Sequence, residues 1–169
     1  MLQSFLENSA REYPDKVALV VDQQRYTYQD LELQSNRLAQ ALLQRGLQRG
    51  ERVAIHLENS LEATVAIFAV LKAGGVFVMV NPTTKIDKLT YVLNNCRAKT
   101  LIIPNKKQNL ILEHAALLPH LKTVIATGAD CDQPESTEWQ LLRFESWDQL
   151  QKEYADQLTP PAIKTISID

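Results

Sequence analysis

The sequence predicts an α/β fold: a doubly wound, mainly parallel sheet flanked by helices, incomplete at its C-terminal end. Two observations carry that expectation. From Arg52 onward, helix-length and strand-length apolar segments alternate, the order of a parallel sheet with crossover helices. The strand candidates 52–57, 76–80, 100–103 and 122–126 are continuous apolar runs rather than alternating ones, the pattern of strands covered on both faces.

Each element has its own signal. Residues 2–12 read as an amphipathic helix, and 17–21 with 24–26 flank Asp22-Gln23 as a short hairpin. Thr27 and Asp30 stand three apart, the spacing of a capping pair, and open a helix over 28–44 that stops at Gly46. Asn59/Glu62 and Thr84/Asp87 repeat that spacing ahead of helices over 60–73 and 85–96. The first of these stops at Gly74, with Lys72 in its last turn where a cation suits the dipole. A helix over 106–118 precedes the strand at 122–126. Residues 127–136 are polar, with turn chemistry, and read as a surface loop. Ser146-Trp147-Asp148-Gln149 opens a short helix that Thr159-Pro160-Pro161 ends. The last residues place Ile163, Ile166 and Ile168 just before Asp169, an unfinished apolar segment from which the polypeptide is expected to continue.

Composition removes several functions. The chain has 169 residues, of which only 5 are glycine, where average usage would give about twelve. No three glycines fall close enough for a G-x-G-x-x-G turn, and no G-x-x-x-x-G-K-[ST] loop exists, so these residues hold no recognisable phosphate cradle. With 18 Lys+Arg against 20 Asp+Glu the net charge is −2, which gives no basic footprint for nucleic acid. Lys106-Lys107 reads as part of a solvated loop. Cys96 and Cys131 are far apart and form no C-x-x-C, which argues against a metal site and for a reducing, cytoplasmic compartment. The N-terminus carries Glu7, Arg11 and Glu12 where an export signal would be unbroken and apolar. The apolar stretch 61–80 is interrupted by Glu62, Lys72 and Gly74-Gly75, and reads as a buried helix and strand rather than a membrane span.

In an open parallel sheet, ligands gather at the carboxyl ends of the strands. The candidates are therefore His56, Asn59, Asn81, Thr83, Pro104, Asn105 and Thr127. His56 is the titratable group of catalytic type among them, and it has no Ser or Cys partner in a recognisable motif. His114 and His120 lack ligand spacing and read as surface residues. Asn59 and Thr84 are accounted for as helix caps, and Tyr26 and Tyr28 as a pair packing a strand end onto the next helix.

Two strings go further. Tyr26-Thr27-Tyr28-Gln29-Asp30-Leu31 is similar to "(L/Y)(T/S)YxEL", and the run from Leu71-Lys72-Ala73-Gly74 to Asn81-Pro82 is similar to "LKAGxxxVPxNP". These resemble the first two core motifs of the adenylate-forming superfamily, which includes acyl-CoA synthetases, amino-acid adenylation domains and luciferases. Gly50-Glu51-Arg52-Val53-Ala54-Ile55 with Glu58-Asn59-Ser60 resembles the family's bridging "GDRVAI…NS". Leu89-Thr90-Tyr91-Val92-Leu93 and Ala98-Lys99-Thr100-Leu101-Ile102 follow the same template. Met79 departs from it, standing where the family often has proline, and Asn81-Pro82 looks closer to acyl-CoA synthetases and stand-alone ligases than to modular peptide-synthetase domains.

The resemblance implies an ATP- and Mg2+-dependent reaction in which a carboxylic acid becomes an acyl-adenylate and then passes to the thiol of coenzyme A or of a phosphopantetheinyl carrier protein. It implies that residues 1–169 are the N-terminal subdomain of such a ligase, with the phosphate loop and the C-terminal domain lying beyond it. No catalytic, cofactor-binding or metal-binding residue is carried over, because the matching positions are scaffold. The fragment alone is expected to be inactive and to bind neither ATP nor Mg2+. The alternative is a non-catalytic binding or assembly module that keeps the fold without the ATP site.

Overall fold

The computed structural model describes residues 2–128 and 142–162. Helix α1 (Gln3–Glu12) leads into strands β1 (Val17–Val21) and β2 (Gln24–Thr27), an antiparallel hairpin. Asp22 and Gln23 both adopt positive φ, the twist that a two-residue turn between right-handed strands requires. Helix α2 (Tyr28–Gln44) begins on a complete capping box: Asp30 N donates to Thr27 Oγ1 at 3.1 Å and Thr27 N donates to Asp30 Oδ2 at 2.8 Å.

The main sheet follows. Strands β3 (Arg52–Ile55), β4 (Val76–Met79), β5 (Thr100–Pro104), β6 (Thr123–Thr127) and β7 (Arg143–Ser146) are all parallel, in the order β4-β3-β5-β6-β7. Helices α3 (Leu61–Lys72), α4 (Ile86–Asn95), α5 (Gln108–Glu113) and α6 (Trp147–Glu153) are the other α-helices among the described residues. Period-two alternation along the central strands divides the core. Val53, Ile55, Ile102 and Ile125 join α1, α2, α3 and α6 in one cluster. Ala54, Leu101, Ile103, Val124 and Phe144 join α4 and α5 in the other. The sheet is therefore covered on both faces, and the doubly wound expectation holds.

Several local expectations are corrected. The continuous run at 76–80 is an edge strand, with Val76 and Met79 each 47 % exposed; its apolar content reflects the clusters that Phe77 and Val78 join, not full burial. Ser60, not Asn59, caps α3, because the hydroxyl one residue later accepts from Ala63 N. Thr84 caps nothing: Lys85 holds the N-cap position of α4 and makes no side-chain cap bond, while Thr83 donates from N and Oγ1 to Asn81 Oδ1 in a local turn. The helix expected over 106–118 is broken into a 3-10 turn at Asn105–Lys107, α5, and a second 3-10 turn at Ala115–Leu117. Strand β7 was not expected, and α6 ends at Glu153, well before Thr159-Pro160-Pro161. The apolar stretch 61–80 resolves into α3 and β4, and no described helix is long and apolar enough to cross a membrane. Of the expected loop, Thr127 closes β6; residues 129–136, Cys131 among them, and the terminal segment with Ile163, Ile166 and Ile168 lie outside the described residues.

Candidate functional site

The strand order sets where a site can form. Counted within the main sheet, the order is that of a flavodoxin-like sheet: the chain runs from β3 outward to β4, then crosses back over β3 to β5. The crevice outside the carboxyl ends of β3 and β5 is the switch point, where successive crossovers leave to opposite faces and their loops part. A cleft of about 300 Å³ lies there, lined by His56 and Glu58 after β3, Pro82 after β4, Pro104, Lys106 and Lys107 at the end of β5, Thr127 at the end of β6, and Ser60 and Glu62 at the start of α3.

Of the sequence candidates, the fold brings His56, Pro104 and Thr127 into this cleft. Asn59, Asn81, Thr83 and Asn105 are not part of its lining. Asn81 is engaged by Thr83, and Gln108 Nε2 donates to Asn105 Oδ1. Away from the cleft, His114 and His120 are partly exposed, and His114 Nδ1 lies 2.9 Å from the Leu110 carbonyl oxygen.

The centre of the cleft is a residue that sequence reasoning assigned to a solvated loop. Lys107 Nζ lies 2.7 Å from His56 Nε2 and donates to the Pro82 carbonyl at 2.8 Å. His56 is 1 % exposed. Burial pushes its pKa below the usual 6.5, and the positive charge of Lys107 pushes the same way, so the imidazole is neutral near pH 7. An ammonium has only donors, so Nε2 is the acceptor and the ring proton sits on Nδ1. Among the described residues Nδ1 has no hydrogen-bond partner, and the Val80 and Asn81 main chain beside it offsets only part of the lost hydration. Burial lowers the pKa of Lys107 as well, with Lys106 acting in the same direction and Glu58 against it. The signal available in the sequence was position: Lys107 follows a strand next to the switch point.

The arrangement is a polar clasp joining the ends of β3, β4 and β5, and its chemistry does not fit a nucleoside triphosphate. Glu58 and Glu62 line the same cleft as Lys106 and Lys107 and balance their charge, and no glycine-rich loop presents main-chain amides there. No group of three or more His, Cys, Asp and Glu side chains placed to hold a metal ion occurs among the described residues.

The family model of the AMP-binding enzymes matches residues 6–165. The chain belongs to the AMP-binding enzyme family. Tyrocidine synthase 1 of Brevibacillus parabrevis is 34% identical over 110 residues, which are 65% of this chain and 10% of that protein. The apo structure of Mycobacterium smegmatis MbtA shares 30% identity at a TM-score of 0.79, covering 98% of this chain and 29% of that one. The anthranilate CoA ligase AuaEII, solved with anthranoyl-AMP, has the same fold with a TM-score of 0.82 at 23% identity, and 29% of its chain is covered. The chain thus spans 29% of each of these two solved chains and 10% of the curated protein. A tyrocidine synthase and a CoA ligase both stand among the similar proteins.

Proposed function

We propose that these residues are the N-terminal subdomain of an AMP-forming ligase of the cytoplasm. In the complete protein a carboxylic acid is activated with Mg-ATP as its acyl-adenylate, with loss of pyrophosphate, and the acyl group then passes to the thiol of coenzyme A or of a phosphopantetheinyl carrier protein. The observation that carries this reading is the family match over residues 6–165. The small share of each relative that the chain covers supports the further point that phosphate-binding and catalytic residues come from outside it.

In this reading the described residues supply a scaffold. The sheet and its two helix layers fix one wall of the enzyme, and the Lys107–His56 clasp ties together three strand ends at its rim. None of them is assigned a catalytic role. The complete protein, incubated with ATP, Mg2+, labelled pyrophosphate and a panel of aliphatic, aromatic and amino acids, is expected to exchange label into ATP in the presence of at least one acid. Absence of acid-dependent exchange across the panel would overturn the proposal, and would favour a non-catalytic module.

A further inference from the structure

A buried charge at the junction of α2 and α3 serves neither the cleft nor the sheet. The side chain of Lys72 is fully buried, and its Nζ donates to Asn36 Oδ1 at 2.6 Å. Glu32 Oε2 is also 2.6 Å away and balances the charge as an ion pair, beside the hydrogen bond to Asn36. Asn36 is itself buried, one helical turn from Glu32 on α2. Its other end, Nδ2, donates at 3.1 Å to the carbonyl of Leu158, in the segment after α6 and 122 positions along the chain.

We infer that Asn36 is a positioning residue: held from behind by the Lys72 ammonium, its amide pins the Leu158 carbonyl and so sets the path by which the chain leaves α6. The amide's orientation is dictated by chemistry. An ammonium offers only donors and a carbonyl only an acceptor, so Oδ1 must face Lys72 and Nδ2 must face Leu158. Only a side chain with an acceptor and a donor on one short planar group serves both neighbours, so aspartate, serine and leucine each lose one end or both. Gln151 Nε2 adds a second tie, donating to the Gln34 carbonyl at 3.1 Å. The anchored segment also borders an open groove of about 300 Å³, lined by Leu158 and Pro160 together with Arg11 on α1 and Glu32 on α2.

The anchor rests on these contacts and not on the proposed function. Asn36→Asp separates the two bonds, since Asp keeps the acceptor for Lys72 and turns an oxygen toward the Leu158 carbonyl. Leu158 is 62 % exposed and open to a chymotrypsin-type protease. In Asn36→Asp, native-state cleavage after Leu158 is expected to rise about fivefold to tenfold, the loss of one hydrogen bond holding a local segment. Leu93→Ala, on α4 in the core cluster of the opposite sheet face, is the control for general loosening. If Leu93→Ala, compared at urea concentrations that give both variants the same global stability, speeds cleavage after Leu158 equally, the anchor is refuted. Should Asn36→Asp fail to fold, the unaltered chain decides: the side-chain amide protons of Asn36 are expected to exchange as slowly as core backbone amides. Free exchange would refute the anchor. Both readouts are independent of pyrophosphate exchange, so loss of either inference leaves the other standing.

Discussion

His56 shows how one buried side chain turns position into a measurable property. The unfolded chain protonates it near the ordinary 6.5, whereas burial and Lys107 lower its pKa in the folded protein. Between those two values the unfolded state binds the extra proton, so stability rises with pH there. The contribution of His56 is fully present above 6.5, is lost as pH falls through the window, and levels off below the folded pKa. Urea midpoints measured from pH 7.5 to 5 should therefore fall more steeply for the unaltered chain than for His56→Gln, which keeps an acceptor for Lys107 without titrating. Parallel profiles for the two proteins would show that the imidazole titrates alike folded and unfolded. Lys107 itself was not legible as part of this clasp. Its neighbours in sequence, Lys106 and the polar turn, look like solvent-exposed chain, and the contact to His56 spans 51 positions that are brought together because β5 pairs with β3.

At the scale of elements, one device ends three helices. The chain after α2, α3 and α4 turns through a left-handed residue, with paired bonds back into the last turn: Leu47 N to Leu42 O, Gly75 N to Val70 O, and Ala98 N to Leu93 O. Gly46 and Gly74 hold the left-handed position in the first two, at φ +88° and +75°, but Arg97 holds it in the third, at +51°. A side chain there is disfavoured by about 1–2 kcal/mol. Arg97→Gly should accordingly raise the unfolding free energy by up to about 1 kcal/mol, once the greater freedom of glycine in the unfolded chain is subtracted. Gly74→Ala should lower it by about 1–2 kcal/mol. Gly75 answers a different need: a Cβ there would stand 3.1 Å from Leu47 Cδ2 and 3.2 Å from the Glu51 carbonyl, so Gly75→Ala should destabilise by about 1–3 kcal/mol through crowding. Denaturant titration of the three variants checks all of these signs, and a stable Gly75→Ala with a destabilised Arg97→Gly would reverse the account. The same devices explain what sequence could read. Helices closed by glycine or opened by Thr27 were legible in place, because the residue type is dictated locally. The end of α4 and the cap at Ser60 were less so, since Arg97 carries no stop signal and Asn59 offers the same chemistry one residue early. Burial of β4 was misjudged because an apolar run records packing on each face but not whether a further strand lies beside it.

For the whole molecule, the decisive quantities are its open sides and the groups it lacks. Among the described residues, β4 and β7 each have one unpaired edge, and Val76 and Met79 leave apolar surface at the first of them. Phe5 on α1 and Tyr91 on α4 are 72 % and 69 % exposed. A unit with such open sides is suited to lie against more protein, which is how a subdomain of a larger ligase would sit. The isolated 169-residue chain is therefore expected to enhance the fluorescence of a hydrophobic dye under native conditions, and a folded, dye-silent monomer would count against the subdomain reading. The nucleotide argues the same way from charge. Binding a triphosphate requires several cations or main-chain amides converging on it. In the cleft at the switch point, Lys106 and Lys107 are matched by Glu58 and Glu62, and Lys107 already gives bonds to His56 and Pro82. Calorimetric titration of the isolated chain with Mg-ATP should release no heat beyond dilution, whereas the proposed function has the complete protein bind it with roughly micromolar to millimolar affinity. Saturable binding by the isolated chain, abolished by Lys107→Met, would place nucleotide recognition in this cleft and refute the assignment of these residues to scaffold.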